Sequence, residues 1–201
     1  MTLDLTTLSD APGLAPFRKP RPVIIVLTGL PASGKSTLRR ALEACWRTPG
    51  IVVCSTDDYL ETTAAALGTT YNDAYLEHSD VALERFNHTL ALALSGAHDI
   101  IVDRTNLTVA ARRRVRAMAP KHYTEISILC DCGFEERNRR QNERNAKGER
   151  ALYENVIQTM RDSAVAPGPD ENFDLRLTDW DVIREGKLIP SPLSDYYTHS
   201  V

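Results

Sequence analysis

Residues Gly29 to Thr37 read Gly-Leu-Pro-Ala-Ser-Gly-Lys-Ser-Thr, an instance of G-x-x-x-x-G-K-[ST]. The pattern is built from the residue types that a polyphosphate site needs. Gly29 and Gly34 let the backbone curl until successive N–H groups point inward, forming an anion nest at the start of a helix. Lys35 is long enough to reach the β- and γ-phosphates, and the Ser36 hydroxyl stands where Mg²⁺ takes a ligand. Pro31, Ala32, Ser33 and Thr37 complete the expected nucleotide contacts of the loop. The apolar run Val23–Leu27 precedes it and the helical pattern Thr37–Ala44 follows. That strand–loop–helix context is what turns the pattern into a site, and it implies ATP with Mg²⁺.

Two acids emerge at the ends of further apolar runs. Ile51–Ser55 leads into Thr56-Asp57-Asp58-Tyr59, on the same sheet edge as the phosphate loop. An acid there can take the proton of an attacking hydroxyl, the role of a general base. Alternatively Ser55, Thr56 or Asp57 caps a short following helix, and Asp58 belongs with that cap. Asp99–Asp103 ends in an acid that can orient the Mg²⁺ shell or the loop hydroxyl; the other reading is an aspartate that stabilises a turn. Thr108 has the position of a helix N-cap. Beyond it, Arg112-Arg113-Arg114-Val115-Arg116 is either a solvated helix face or a contact for an anionic acceptor.

A second cluster of arginines lies further on. Arg137, Arg140 and Arg144 fall three and four residues apart, so one helical face carries like charges. Pairs such as Glu136–Arg140 and Glu143–Lys147 are the ordinary explanation. A bound triphosphate is the other, with arginines on a flap stabilising transition-state charge and Gly148 as its hinge.

The elements needed to hold these groups follow from hydrophobic period. Strands are expected near 23–28, 51–55, 99–103 and 124–130, with a weaker one near 173–178. Helices are expected near 35–46, 72–95, 108–118, 133–145 and 150–163. Strands alternating with helices imply an α/β fold with a parallel sheet covered on both faces, ligands binding beyond the carboxyl ends of its strands. Residues 1–21, rich in Thr, Ser and then Pro, are expected to be a flexible tail, and 22–201 one domain with a lid at about 137–150. Trp180 to Ile189 suits a short hairpin around Glu185-Gly186-Lys187. The net charge of −3 gives no global field for nucleic acid, so any such contact must be local. Four cysteines without metal spacing, and the lack of a membrane-length apolar run, point to a reduced cytoplasmic protein.

Together, Gly-x-Pro-x-Ser-Gly-Lys-Ser-Thr (29–37), Asp57-Asp58-Tyr59, Asp103-x-Thr105-Asn106-Leu107, the arginines at 137–144 and Gly148…Val156…Met160 resemble the phage-type polynucleotide 5′-hydroxyl kinases. The order and approximate spacing agree from about Val23 to Ser163. The resemblance implies a P-loop kinase fold with an arginine-rich lid, and transfer of the ATP γ-phosphate to a hydroxyl of DNA or RNA. It implies Lys35 and Ser36 at phosphate and metal, Asp57 as base and Arg140 as the transition-state arginine. Arg144 is its close substitute, Arg137 a nucleotide contact and Asp103 a metal-side acid. Leu60 departs from the family, which places an arginine for the acceptor phosphate just after D-D-Y. The D-x-D-G-T phosphatase motif fused to some relatives is absent from these residues. A hydroxymethylated base in DNA is an alternative acceptor. A small-molecule kinase acting on a nucleoside, sugar or antibiotic, as zeta-toxin-like enzymes do, is a second class of reading. A nucleotide-dependent switch is a third, which Asp57 and the flap arginines argue against.

Overall fold

The run Val-Ile-Ile-Val-Leu-Thr forms β1 (Val23–Thr28), buried along its whole length. Apolar, β-branched residues on both faces suit only a strand covered on both sides. In the computed structural model, which describes residues 21–46, 50–147, 154–178, 183–184 and 187–188, β1 is the centre of a five-stranded sheet. The other strands are β2 (Ile51–Ser55), β3 (Asp99–Asp103), β4 (Thr124–Leu129) and β5 (Leu175–Thr178). All pair in parallel, in the order β2-β3-β1-β4-β5. Each expected strand is present, β5 beginning slightly later than its apolar pattern suggested.

The helices are α1 (Lys35–Cys45), α2 (Thr56–Leu67), α3 (Tyr71–Ser95), α4 (Val109–Met118), α5 (Phe134–Ala146) and α6 (Glu154–Ser163). Alternate strand residues feed two cores. Ile24, Val26, Ile100 and Val102 pack with Phe86, Leu90 and Leu94 of α3 and Val115 of α4. Val23, Ile25, Leu27, Ile101, Ile126 and Ile128 face the other way, onto Leu38 and Leu42 of α1. Helices therefore cover both faces, as the alternation of elements demands.

The helices expected from periodicity include none at 56–67, where a short capped helix is only an alternative, and the structure places the 12-residue α2 there. Its threonines and paired aspartates favour turns and caps, which hides a helix from periodicity. Its start is fixed by Ser55, whose Oγ accepts the Asp58 N–H at 3.3 Å, and its end by Gly68 in the left-handed region. A capping box between Thr70 and Asp73 then opens α3, so α2 and α3 form a helical hairpin. Leu60 and Ala64 are the buried residues of α2.

The predicted N-terminal tail lies outside the described residues apart from Arg21, as do Gly148, the end of the predicted lid at 148–150 and the expected first turn of the last helix. Ile183–Arg184 (β6) pairs antiparallel with Lys187–Leu188 (β7), the hairpin expected there. Cys54 and Cys130 are buried thiols not joined in a disulfide, and burial pushes the Cys54 thiol up to about 12. Among the described residues no helix is long and apolar enough to cross a membrane.

Candidate nucleotide and phosphoryl-transfer site

The loop between β1 and α1 closes tightly against the strand end beside it. A Cβ on Gly29 would meet the Cys130 carbonyl oxygen at 2.5 Å and Ser33 Oγ at 2.6 Å, so only glycine fits. Gly29 N–H donates to the Thr105 carbonyl at 3.0 Å, tying the loop to the segment after β3. Ala32 adopts φ 61°, a left-handed conformation that costs a non-glycine residue of order 1–3 kcal/mol and is typical of functional loops. Gly34 is the N-cap of α1 at φ 109° and, lacking a side chain, leaves the first amides of the helix uncapped. Those amides at the positive end of a helix are the expected phosphate donors.

Two polar side chains of the loop are suited to a ligand. Ser33 Oγ is buried with no hydrogen-bond partner. Lys35 Nζ donates to the Gly29 and Leu30 carbonyls at 2.8 Å each, which holds it along the loop. Burial lowers the lysine pKa, while Cys130, Asp103 and Asp57 oppose that and Arg144 adds to it. Asp103, Asp57 and Arg144, from three different elements, thus all act on the charge of the loop lysine.

Asp103, at the end of β3, is buried, and burial raises its pKa against the pull of Arg39 and Lys35. Arg39 of α1 donates through one nitrogen to Asp103 Oδ2 at 3.0 Å and Asp58 Oδ1 at 2.8 Å. The carboxylate of Asp58 is thus committed to Arg39; its link to the Ser55 cap is through its backbone N–H. The Ser36 hydroxyl and Asp103 supply hard oxygen donors suited to Mg²⁺. Among the described residues no group of three or more acidic, histidine or cysteine side chains could hold a metal unaided. That fits Mg²⁺, which usually keeps waters and substrate phosphates among its ligands.

Asp57 lies in the first turn of α2, but Ser55 supplies the cap. The Tyr71 hydroxyl of α3 donates to Asp57 Oδ1 at 3.0 Å, orienting the carboxylate at the edge of the sheet. Asn106 adopts φ 46° and donates to the Leu27 carbonyl at 2.8 Å, locking the segment after β3 onto β1. Thr108 caps α4 by accepting the Ala111 N–H.

The arginines divide between structural and site roles. Arg112 is fully buried, bidentate to Glu171 at 2.6 and 2.8 Å and donating to the Asn106 and Val165 carbonyls. Arg116 pairs with Glu125 and covers the Phe173 ring. Only Arg113 and Arg114 of that run are exposed, so its basic patch is smaller than the sequence suggested. On α5, the Glu136–Arg140 pair is present at 2.7 Å, and Arg139 bridges Glu136 and Glu143. Arg137 is buried over the Phe134 ring, 3.7 Å from Asp131. It lines a cavity of about 280 Å³ with Pro31 of the phosphate loop, Gln141 and Arg161. Arg137 Nε and Arg161 Nε are buried without partners.

Sequence reasoning missed Arg39 and Tyr71. Arg39 carried a signal, since it stands one helical turn after Lys35. Tyr71 depends on a contact between distant elements.

A five-stranded parallel sheet in this order, with a phosphate loop after its central strand, defines the P-loop kinase fold. A sequence profile of the AAA domain family matches residues 24–167, and the chain belongs to that family. The structure resembles a proposed kinase from Chloroflexus aurantiacus, 24% identical over 80% of this chain and 86% of that one, with a TM-score of 0.61. It also resembles the protein APE1195, 23% identical over 89% and 94% of the two chains, with a TM-score of 0.54. A chain of the Pnkp1/Rnl/Hen1 RNA repair complex is 16% identical over 71% of this chain and 44% of its own, with a TM-score of 0.56. No curated protein sequence matches.

Proposed function

We propose that this protein is an ATP-dependent kinase that transfers the γ-phosphate to a hydroxyl of a nucleic acid, the 5′-hydroxyl of DNA or RNA. The observation that carries the reading is the Asp57 carboxylate. It is oriented by Tyr71, released from capping by Ser55, and acts on the charge of the phosphate-loop lysine. A switch needs no such acid facing its phosphates, whereas transfer to a hydroxyl does.

In this reading the loop amides, Ser33 and Lys35 hold the β- and γ-phosphates. Ser36 and Asp103 would hold Mg²⁺, which when bound neutralises charge on the phosphate oxygens. Asp57 takes the proton of the acceptor hydroxyl as its oxygen bonds to the γ-phosphorus. The bond from that phosphorus to the β–γ bridging oxygen breaks, and ADP leaves. Arg140 and Arg144 stabilise the charge on the transferring group, and Arg137 contributes to the nucleotide pocket. The nucleic-acid acceptor rests on the ordered resemblance of the D-D-Y and T-N-L segments to polynucleotide kinases. The internal use of Arg112 and Arg116 favours a second reading, a small-molecule kinase, because it removes half of the basic run.

The test is transfer of label from γ-labelled ATP to 5′-hydroxyl oligonucleotides, 5′-blocked oligonucleotides with hydroxymethylated bases, nucleosides and sugars. Label on unblocked oligonucleotides is expected, with Asp57→Asn reducing it by at least about 10²-fold while ATP still binds. Label on small molecules alone would replace the nucleic-acid reading with the second one.

A further inference from the structure

Arg39 lies just beyond the loop motif, one helical turn after Lys35 and so on the same face of α1. One nitrogen of its guanidinium donates both to Asp58 Oδ1 at 2.8 Å and to Asp103 Oδ2 at 3.0 Å. Its Nε donates to Glu43 Oε2 at 3.3 Å. The two aspartates belong to different elements: Asp103 ends β3, and Asp58 stands in the first turn of α2, just after Asp57. Their strands are neighbours, with Ser55 beside Asp103 in register. Arg39 therefore joins the three segments that carry the transfer groups. These are the helix that starts with Lys35 and Ser36, the β3 end, and the turn that holds Asp57. Successive side chains of a helix point about 100° apart, so Asp58 reaches Arg39 while Asp57 takes the Tyr71 hydroxyl. Among the described residues neither the Asp58 nor the Asp103 carboxylate has another hydrogen-bond donor. Stability gives this arrangement little reason. The Asp58 side chain is 44% exposed, where an ion pair contributes little to folding, and Asp103 is nearly buried, where taking a charge from water is costly.

We propose that Arg39 is a positioning residue for phosphoryl transfer, which fixes the Asp57 base and the Asp103 carboxylate relative to the phosphate loop. The inference rests on the kinase reading above and deepens it by naming a group that sets the geometry of the reaction. Asp57 has to meet the acceptor hydroxyl while that hydroxyl lines up with the γ-phosphorus. An error of about 1 Å in such an arrangement can cost about 10²-fold in rate. The Ser55 cap fixes the start of α2 only to its own strand, and Tyr71 lies across the same helical hairpin. Arg39 supplies a side-chain link from this turn to the helix of the phosphate loop. By taking Asp103 Oδ2 on the same nitrogen it orients that carboxylate as well. A lysine at this position keeps the charge and can bond an aspartate, but it is shorter and has no second nitrogen for Glu43.

The experiment measures three quantities on each protein: the single-turnover rate of label transfer from γ-labelled ATP, ATP affinity by equilibrium titration, and melting temperature. The acceptor is whichever member of the panel above wild type labels. The variants are Arg39→Met, Arg39→Lys, Asp58→Asn and the double variant Arg39→Met with Asp58→Asn. Arg39→Met should slow transfer by about 10–100-fold with ATP affinity little changed, and Arg39→Lys should recover part of that loss. Asp58→Asn should slow transfer by about 3–10-fold, the scale of one charge-assisted bond made neutral, with a melting temperature near that of wild type. The double variant should be no slower than Arg39→Met alone, because the two changes remove the same bond. If Arg39→Met does not fold, Arg39→Lys and Asp58→Asn decide, since the second alters a partly exposed group. ATP affinity that falls as far as the rate, or a rate near wild type with a lowered melting temperature, makes Arg39 a structural tie and overturns the inference. Both of those results leave the kinase reading standing. Label on no acceptor, with ATP still bound by wild type, defeats the kinase reading and the inference with it.

Discussion

Arg140 and Arg144 stand one turn apart on α5, and their neighbours separate them. Arg140 gives its Nε to Glu136, whose carboxyl is held down to about 2, chiefly by bonds from Arg139 and then Arg140. Arg144 instead acts on the charge of Lys35. An arginine that already repels the phosphate-loop lysine is the better placed to meet charge developing on the γ-phosphate, although the family pattern points first to Arg140. Arg144→Ala should therefore lower kcat by at least about 10²-fold with little change in ATP affinity, and Arg140→Ala should cost less than that. Single-turnover transfer combined with ATP titration checks this, and equal losses in the two variants would remove the distinction. At this scale the sequence displayed the phosphate loop fully, because its function is written in consecutive residues. It displayed Asp57 only as one of two readings, because the choice between base and cap depends on what Ser55 and Tyr71 do. Tyr71 was silent, since it gains its meaning from a residue on another element.

The strands were legible because β-branched runs such as Ile51-Val52-Val53 and Ile100-Ile101-Val102 have little use outside a covered sheet. α2 was not, since its alanines and threonines carry no apolar stripe and its stability comes from caps and from packing on α3. The basic run on α4 shows the limit of reading charge along one element. Arg112 is a structural member whose partner, Glu171, lies in the turn before β5. Burial of the Glu171 carboxyl pulls its pKa up, but bonds from Arg112 and the Gly168 N–H outweigh that and hold it below 4.5. A carboxyl lowered in the folded state contributes stability above its unfolded pKa and loses it as pH falls through the folded value. Wild type should thus lose stability steeply below about pH 4.5, and Glu171→Gln should be weaker at neutral pH with a flatter acid limb. Arg112→Ala, which strands a buried carboxylate, should cost about 3–5 kcal/mol in urea unfolding at pH 7. Parallel acid limbs in wild type and Glu171→Gln would show that the link between α4 and β5 is not what acid breaks.

Across the whole molecule, the strand order brings the groups together. With β3 between β1 and β2, the loop after β1, Asp57 after β2 and Asp103 at the end of β3 share one edge, tied by Arg39 and by Gly29 N–H to Thr105. A ligand that bridges several such elements holds the native state against unfolding as a unit, because the unfolded chain has no comparable site. At a concentration 100 times its Kd, ATP with Mg²⁺ should add about 2.7 kcal/mol. For a domain of this size that corresponds to roughly 5–10 °C in melting temperature. Lys35→Ala, tested at the same ATP concentration, should lose most of the shift while its melting temperature without nucleotide stays near that of wild type. Among the described residues the half-buried lysine is bonded only to two loop carbonyls, and its removal relieves a desolvated charge. Thermal melting with ATP, with ADP and with a nucleotide-free control decides the matter. A wild-type protein whose melting does not respond to millimolar ATP and Mg²⁺ would detach the phosphate loop from nucleotide binding, and the roles assigned to Asp57 and Arg144 would fall with it.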